Sequence, residues 1–376
     1  MAVRVIMQRG FLVFAALGLV FGVGELVLRL RAAAGAGPPR EVRIHEFAYI
    51  DEDDVPRFQP YARGWHRGYG DAEDNLVRLN SLGLPGPEPL GEPRQRIAFV
   101  GDSITFNGGI SWEQSFLGLA AKQLRDAGLE NSEILNFGFS DANLAHYEKK
   151  LEFEVLPLEP DLVYVGVYLN DAIGIEGSSV PILADDLPRQ SPRSASSSLM
   201  LRWLDRRLEF AFAPDPRTPV VRDGVQGPGR FAWVPRFKEE RYLTEPLELR
   251  QMIADARNDW GSAWTDEYAD ALSASLERMR SLTEPRGIPL VVVSFPVSPQ
   301  VEVDLAPVAL WLPQRRIAEI TRRLGIPLLD PLATLRRASR ESGDRLYGDQ
   351  CHFSPEGNRI VAELIAQDAL RRLRLF

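Results

Sequence analysis

The chain has 376 residues, 45% of them apolar and 26% charged, so it carries enough apolar side chains for a sizeable buried core. A formal net charge of -8 argues against a dedicated nucleic-acid binder, which normally carries a basic balance. A single cysteine, Cys351, rules out an intramolecular disulfide and a cysteine-rich metal site.

The first feature in chain order is an apolar run at 11–28, broken only by Glu25. It reaches the lower length limit for crossing a bilayer, roughly 17 residues. Arg4 and Arg9 precede it as in a signal sequence, and Ala32, Ala33 and Ala34 offer a small-residue cleavage site. Arg29 and Arg31 separate the run from those alanines, which suits an uncleaved anchor better. Residues 1–31 are therefore read as a single-pass N-terminal transmembrane helix, with secretion after signal cleavage as the alternative. Arginines at both ends leave the orientation open on charge alone. Glu25 is costly in lipid and is expected near the interface or facing a partner.

Residues 32–93 read as a linker and an irregular extension, rich in Gly, Pro and aromatic residues and without periodicity. From 94 to 376 the pattern alternates. Short apolar runs at 97–100, 133–137, 162–168, 289–295 and 326–329 predict five buried strands. Helical spacing predicts helices over 112–127, 146–156, 266–282, 313–324 and 355–373. Such alternation implies an α/β fold, a parallel sheet covered on both faces with right-handed crossovers. An insertion at about 172–265 interrupts it, rich in Pro, Arg and Ser, with an amphipathic stretch at 199–212. An insertion of this length suits either a partly ordered cap over the site or a surface loop.

The chemistry-bearing residues follow the strands. Ser103, in Gly101-Asp102-Ser103, stands directly after the first strand, at the sheet edge where such folds bind ligands, and its own N–H can help hold an oxyanion. Of four histidines, His45 and His66 lie in the extension and His146 at a helix start. His352 follows the last strand, with Asp349 three residues upstream, within reach of its imidazole. The same loop also reads as a helix start, with Ser354 as cap and Pro355 in the first turn. Cys351 is open to a thiol-nucleophile reading or to that of a small neighbour of His352. Gly138 ends the second strand and Asn170 follows the third. Each is read as an oxyanion donor or as a turn glycine and a capping asparagine. All of these positions fall on one edge of one sheet.

The four blocks resemble those of the SGNH hydrolase superfamily, the GDSL-like lipases and acylhydrolases. Gly101-Asp102-Ser103-Ile104-Thr105 matches the first block, Asn136-Phe137-Gly138 the second, Asn170-Asp171 the third and Asp349-Gln350-Cys351-His352 the last. The stretch from Asn80 to Glu88 is similar to one found before the first block in membrane-associated bacterial members. The resemblance implies a flavodoxin-like three-layer α/β/α fold around a central, mostly parallel five-stranded sheet. It implies Ser103 as nucleophile, His352 as base, Asp349 as its orienter, and an oxyanion hole of Ser103, Gly138 and Asn170, with neither metal nor organic cofactor. Two departures stand out: Tyr168 occupies a position usually glycine in the third block, and Asp141 replaces a second glycine beyond block two. Asp102, Tyr168 and Asp141 are candidates for the substrate pocket.

The expected function is a serine esterase cleaving acyl esters of a small molecule, lipid or glycan through an acyl-enzyme. The alternatives are an O-acyltransferase acting on a cell-envelope polysaccharide and a catalytically idle glycan-binding protein of the same fold. The resemblance and the signal-like N-terminus favour an extracytoplasmic, periplasmic domain held to the membrane by the N-terminal helix.

Overall fold

The computed structural model describes residues 18–27, 42–172, 187, 232–303 and 308–373. Five strands build the central sheet: β5 (Gln95–Gly101), β6 (Ser132–Gly138), β7 (Leu162–Val167), β8 (Leu290–Ser294) and β9 (Leu328–Leu329), in the order β6-β5-β7-β8-β9. Every pairing is parallel, with Ile97 opposite Ile134 and Val163 opposite Leu290. Among the described residues this is the expected mostly parallel five-stranded sheet, with every neighbouring pair running the same way. β6, β7 and β8 are buried along their whole length, and β7 and β8 accordingly read as near-continuous apolar runs, whereas β6 also buries Ser132, Glu133 and Asn136.

The Phe116–Asp126 and Pro355–Leu373 helices pack together, while Leu144–Lys150 and Leu312–Leu324 pack against Asp266–Thr283. The chain leaves β5 for β6 on one side and later returns to β7 on the other. The strand order therefore reverses at the carboxyl end of β5, the place where open α/β sheets bind ligands.

Local chemistry adjusts the expected helices. The one expected over 112–127 begins as a short 3-10 turn, and Ser115 then caps Phe116–Asp126 by accepting from the Gly118 N–H at 3.1 Å. The one expected over 146–156 starts earlier, at Leu144 behind the Asn143 cap, and widens to a π-turn over Leu151–Val155 before Pro157. A helix at Leu332–Ser342 was not expected, and two more, Val234–Glu239 and Pro246–Asp255, occupy the second part of the insertion. The amphipathic stretch at 199–212 lies outside the described residues.

The N-terminal extension is more regular than its composition suggests. It forms two antiparallel pairs, β1 (Ala48–Ile50) with β2 (Pro56–Phe58) and β3 (Arg63–His66) with β4 (Asn75–Arg78). Val42, Ile44, Phe47, Phe58 and Val77 from this segment join the same apolar core as the sheet. Residues 18–27 are helical. Among the described residues no helix is long and apolar enough to cross a membrane, and the remainder of the 11–28 run lies outside them.

Candidate active site

Ser103 opens a one-turn helix, Ser103–Phe106, two residues past the end of β5. Asp102 caps that turn, its carboxylate accepting from the Ile104 N–H at 2.9 Å. Asn107 closes it in a left-handed conformation, φ 53°. The turn lies against the end of β6, and Gly138 makes this possible. A Cβ at Gly138 would fall 2.2 Å from the Phe106 nitrogen, so any side chain there would push the Ser103 turn off the sheet.

His352 sits on a tight loop that folds back on itself. Gly348 N–H donates to the His352 carbonyl at 2.8 Å, and Tyr347 pairs with Phe353. The ring nitrogens complete a series: Nε2 lies 3.1 Å from Ser103 Oγ, and Nδ1 lies 2.8 Å from Asp349 Oδ2. Asp349 Oδ1 accepts the backbone N–H groups of Cys351 and His352 at 2.9 and 2.8 Å. Burial alone would raise the Asp349 carboxyl. The charge of His352 and these hydrogen bonds outweigh it and hold the group down at about 2. Burial opposes charge on His352 as well, but the adjacent Asp349 carboxylate raises its pKa overall. Such an arrangement holds an imidazole with its proton on Nδ1 and a basic Nε2 aimed at a hydroxyl.

Other expected residues take different places. Gly138 N–H donates to Asn136 Oδ1 at 2.8 Å, while Asn136 Nδ2 donates to the Thr105 carbonyl at 2.9 Å. The Gly138 N–H is thus met by the Asn136 side chain, and the missing Cβ of Gly138 also has a steric role in seating the Ser103 turn. Asn170 follows β7, and one N–H of its Nδ2 donates to Asp259 Oδ1 at 2.9 Å. Asp102 is buried, and burial pushes its carboxyl up to about 6. It serves the turn as a cap instead of facing a pocket. Tyr168 is also buried; its N–H donates to Asp171 and its carbonyl accepts from the Tyr268 hydroxyl. Asp141 is half-buried at φ 64°, the left-handed conformation that glycine adopts most easily and aspartate tolerates. Its charge acts on both Asp102 and His45.

Cys351 does not compete with Ser103. It is buried, and burial together with the Asp349 and Asp102 charges holds the thiol far from ionisation. Asp349, Cys351 and His352 bring donor atoms within 4.8 Å of one another, the one such group among the described residues. A cation there would have to break the Asp349–His352 hydrogen bond. His146 is buried within a helix cap, with Nδ1 accepting from the Asn143 N–H at 3.2 Å.

Three contributors were not foreseen. Tyr69, from the extension, stacks flat on the His352 ring, with centroids 3.9 Å apart and planes 1° from parallel. His66 stands edge-on to Tyr69, and His45 edge-on to His66; burial, and then the neighbouring His45, hold the His66 ring down at about 4. Asn358, fully buried, joins the two halves of the site. Its Oδ1 accepts from Asn107 Nδ2 at 2.6 Å behind the Ser103 turn, while its Nδ2 donates to the Phe353 carbonyl at 3.1 Å beside His352. Asp259, the third, belongs to the insertion.

The model of the GDSL-like lipase/acylhydrolase family matches residues 99–360. No curated protein matches this chain. Among solved structures the chain is similar to Axe2, an acetylxylan esterase from Geobacillus stearothermophilus, at 15% identity over 73% of this chain and 94% of that one, with a TM-score of 0.41. It is similar to the lipase/acylhydrolase from Enterococcus faecalis at 15% identity over 74% and 96% of the two chains, TM-score 0.40. The acetyl xylan esterase AlAXEase aligns at 14% identity over 73% and 98%, TM-score 0.42.

Proposed function

Because the chain belongs to the GDSL-like lipase/acylhydrolase family, we propose that it is a serine esterase that cleaves acyl esters through a covalent acyl-enzyme on Ser103. The observation that carries this reading is the hydrogen-bonded series Ser103 Oγ–His352 Nε2 and His352 Nδ1–Asp349 Oδ2, at 3.1 and 2.8 Å. His352 takes the proton as Ser103 Oγ attacks the ester carbonyl, then returns it to the departing alcohol. Asp349 keeps the imidazole in the productive tautomer and stabilises the imidazolium. The Ser103 N–H, in the first turn of its helix where it has no intrahelical carbonyl to reach, and the Asn170 amide face the developing oxyanion. Water enters in the second step, with His352 as base, and frees the acid.

The test is covalent. The full-length chain treated with a fluorophosphonate is expected to carry one adduct on Ser103, found by peptide mass spectrometry, and to lose hydrolysis of p-nitrophenyl acetate in parallel. An unlabelled Ser103 in a folded protein sinks the reading. An oligosaccharide acceptor added to the same assay distinguishes hydrolysis from acyl transfer, since acylated glycan accumulates only if an alcohol replaces water in the second step.

Tyr69 supports His352 through ring contact, so Tyr69→Leu is expected to lower kcat about tenfold through misplacement of the base, while Tyr69→Phe retains the stack and the rate. Equal kcat in the wild type and Tyr69→Leu would remove Tyr69 from this role.

We further propose that the N-terminal segment anchors the protein in a membrane. Support comes from the apolar run at 11–28 and from helical residues 18–27, where Leu19, Val20, Val23 and Leu26 are 70%, 64%, 53% and 56% exposed. Apolar side chains so open to solvent suit a lipid surrounding, with the catalytic domain on the extracytoplasmic side. Cell fractionation that recovers the full-length protein entirely in the soluble fraction overturns it.

A further inference from the structure

We propose that Asp259, in the insertion that interrupts the strand–helix alternation, is the positioning residue that holds the Asn170 amide in its oxyanion-binding orientation. This inference rests on the reading of Asn170 given above.

Asn170 stands after β7, and its side chain has two ends of similar size. A rotation of half a turn about its last bond exchanges a donor for an acceptor. Only one of these states can serve an oxyanion; the other presents the carbonyl oxygen and repels it. The neighbour that chooses between them must therefore accept and never donate. Asp259 meets that requirement: its Oδ1 takes one N–H of Asn170 Nδ2 at 2.9 Å. The second N–H on the same nitrogen then points about 120° away, a direction fixed by the planar amide.

Asp259 is itself held. It is 4% exposed, and its Oδ2 accepts from the buried Trp233 Nε1 at 3.1 Å. Trp233 lies edge-on to Trp260, centroids 6.0 Å apart. The surrounding segment grips the loop after β7 at further points. Ser262 Oγ donates to the Leu169 carbonyl at 3.2 Å, and Tyr268 Oη donates to the Tyr168 carbonyl at 2.7 Å. Burying a carboxylate beside a centre that develops negative charge is electrostatically adverse. A residue present only to fill space there would be better replaced by a neutral one. The hydrogen bond to Asn170 supplies the compensating function, since a donor turned away from the oxyanion forfeits its whole contribution.

A double-mutant cycle on the full-length protein tests this, with kcat and KM for p-nitrophenyl acetate and thermal unfolding as a check on the fold. Asn170→Ala is expected to lower kcat about 10²- to 10³-fold. Asp259→Asn keeps its one oxygen on the Trp233 N–H, so its NH₂ faces Asn170 and favours the flipped amide; it is expected to lower kcat roughly 10- to 100-fold with KM within about twofold. In the double variant kcat should fall no further than in Asn170→Ala alone, because a positioning residue has nothing left to position. A wild-type kcat in Asp259→Asn, or a double variant as slow as the product of the two single losses, overturns the inference while leaving the role of Asn170 intact. An unchanged kcat in Asn170→Ala sinks that role and this inference together. Should Asp259→Asn fail to fold, Trp233→Phe keeps the ring and removes only the donor to Asp259. It should slow the wild type by roughly two- to tenfold and leave the Asn170→Ala background unchanged; equal slowing of both backgrounds overturns the inference.

Discussion

Ser103→Ala is expected to lower the turnover of p-nitrophenyl acetate by roughly 10⁴- to 10⁶-fold, without changing thermal stability by more than about 1 kcal/mol. The size follows from what the hydroxyl does. Without Oγ no acyl-enzyme forms, and the remaining rate comes from water activated by His352 in a site that still binds the ester. Ser103 heads a one-turn helix whose cap is Asp102 and whose packing against β6 depends on Gly138, and neither uses the serine hydroxyl. The fold should therefore survive. His352→Ala should cost a comparable amount, and the double variant no more than either alone, because the two side chains act as one unit through the 3.1 Å contact. Cys351→Ser is the internal control. Its thiol is buried and held protonated, so the rate should stay within a few-fold of the wild type. A large loss there, with Ser103→Ala still active, would shift the nucleophile to sulfur and overturn the proposed chemistry.

The parts of this site that were legible in the sequence are those whose roles are set locally. β5 to β8 read as short apolar runs because both faces of the sheet are covered, and Ser103 and Asn170 could then be placed by where two of those runs stop. The Asp349–His352 relation was visible because three residues of one turn suffice to bring the carboxylate to the ring. Roles created by tertiary contact were not visible. Tyr69 and Asp259 lie in segments without periodicity, and nothing near them in sequence announces a partner more than 80 residues away. Asn358 hides within a helix, where its spacing suggests only a buried face.

The steric role of Gly138 was hidden for a different reason. A glycine ending a strand suits a donor and a close approach equally. A local signal that bears on both is Asn136, whose side chain reaches the N–H two residues on, a pattern common for asparagine. The Leu332–Ser342 helix escaped because it buries little beyond Leu332 and Leu335, although Asp330 and Pro331 stand before it as a start signal. The extension escaped as well, since hairpins of three and four residues leave too little alternation to recognise.

Asp349→Asn is expected to lower kcat about 10³- to 10⁴-fold while leaving the hydrogen-bonded frame of the loop in place. The geometry dictates how. Asp349 Oδ1 accepts two backbone N–H groups, from Cys351 and His352, and only an oxygen can occupy that position. The amide of an asparagine must therefore turn its NH₂ toward His352 Nδ1. That nitrogen then becomes an acceptor, the ring proton moves to Nε2, and the atom 3.1 Å from Ser103 Oγ can no longer take its proton. The pH profile should change in step. Activity requires neutral His352, whose pKa the Asp349 carboxylate raises above 6.5 against the effect of burial. The wild-type acid limb in kcat/KM is thus expected above pH 6.5, and in Asp349→Asn, where only the smaller effect of the Asp102 charge opposes burial, below it. Asp349 itself is held at about 2 and is ionised throughout that range, so the limb belongs to the histidine. Because this carboxyl is depressed on folding, the stability it contributes is present above its unfolded value near 4 and is lost as the pH falls through about 2. An acid limb at the same pH in both proteins, with kcat within tenfold, would show that Asp349 does not orient the base.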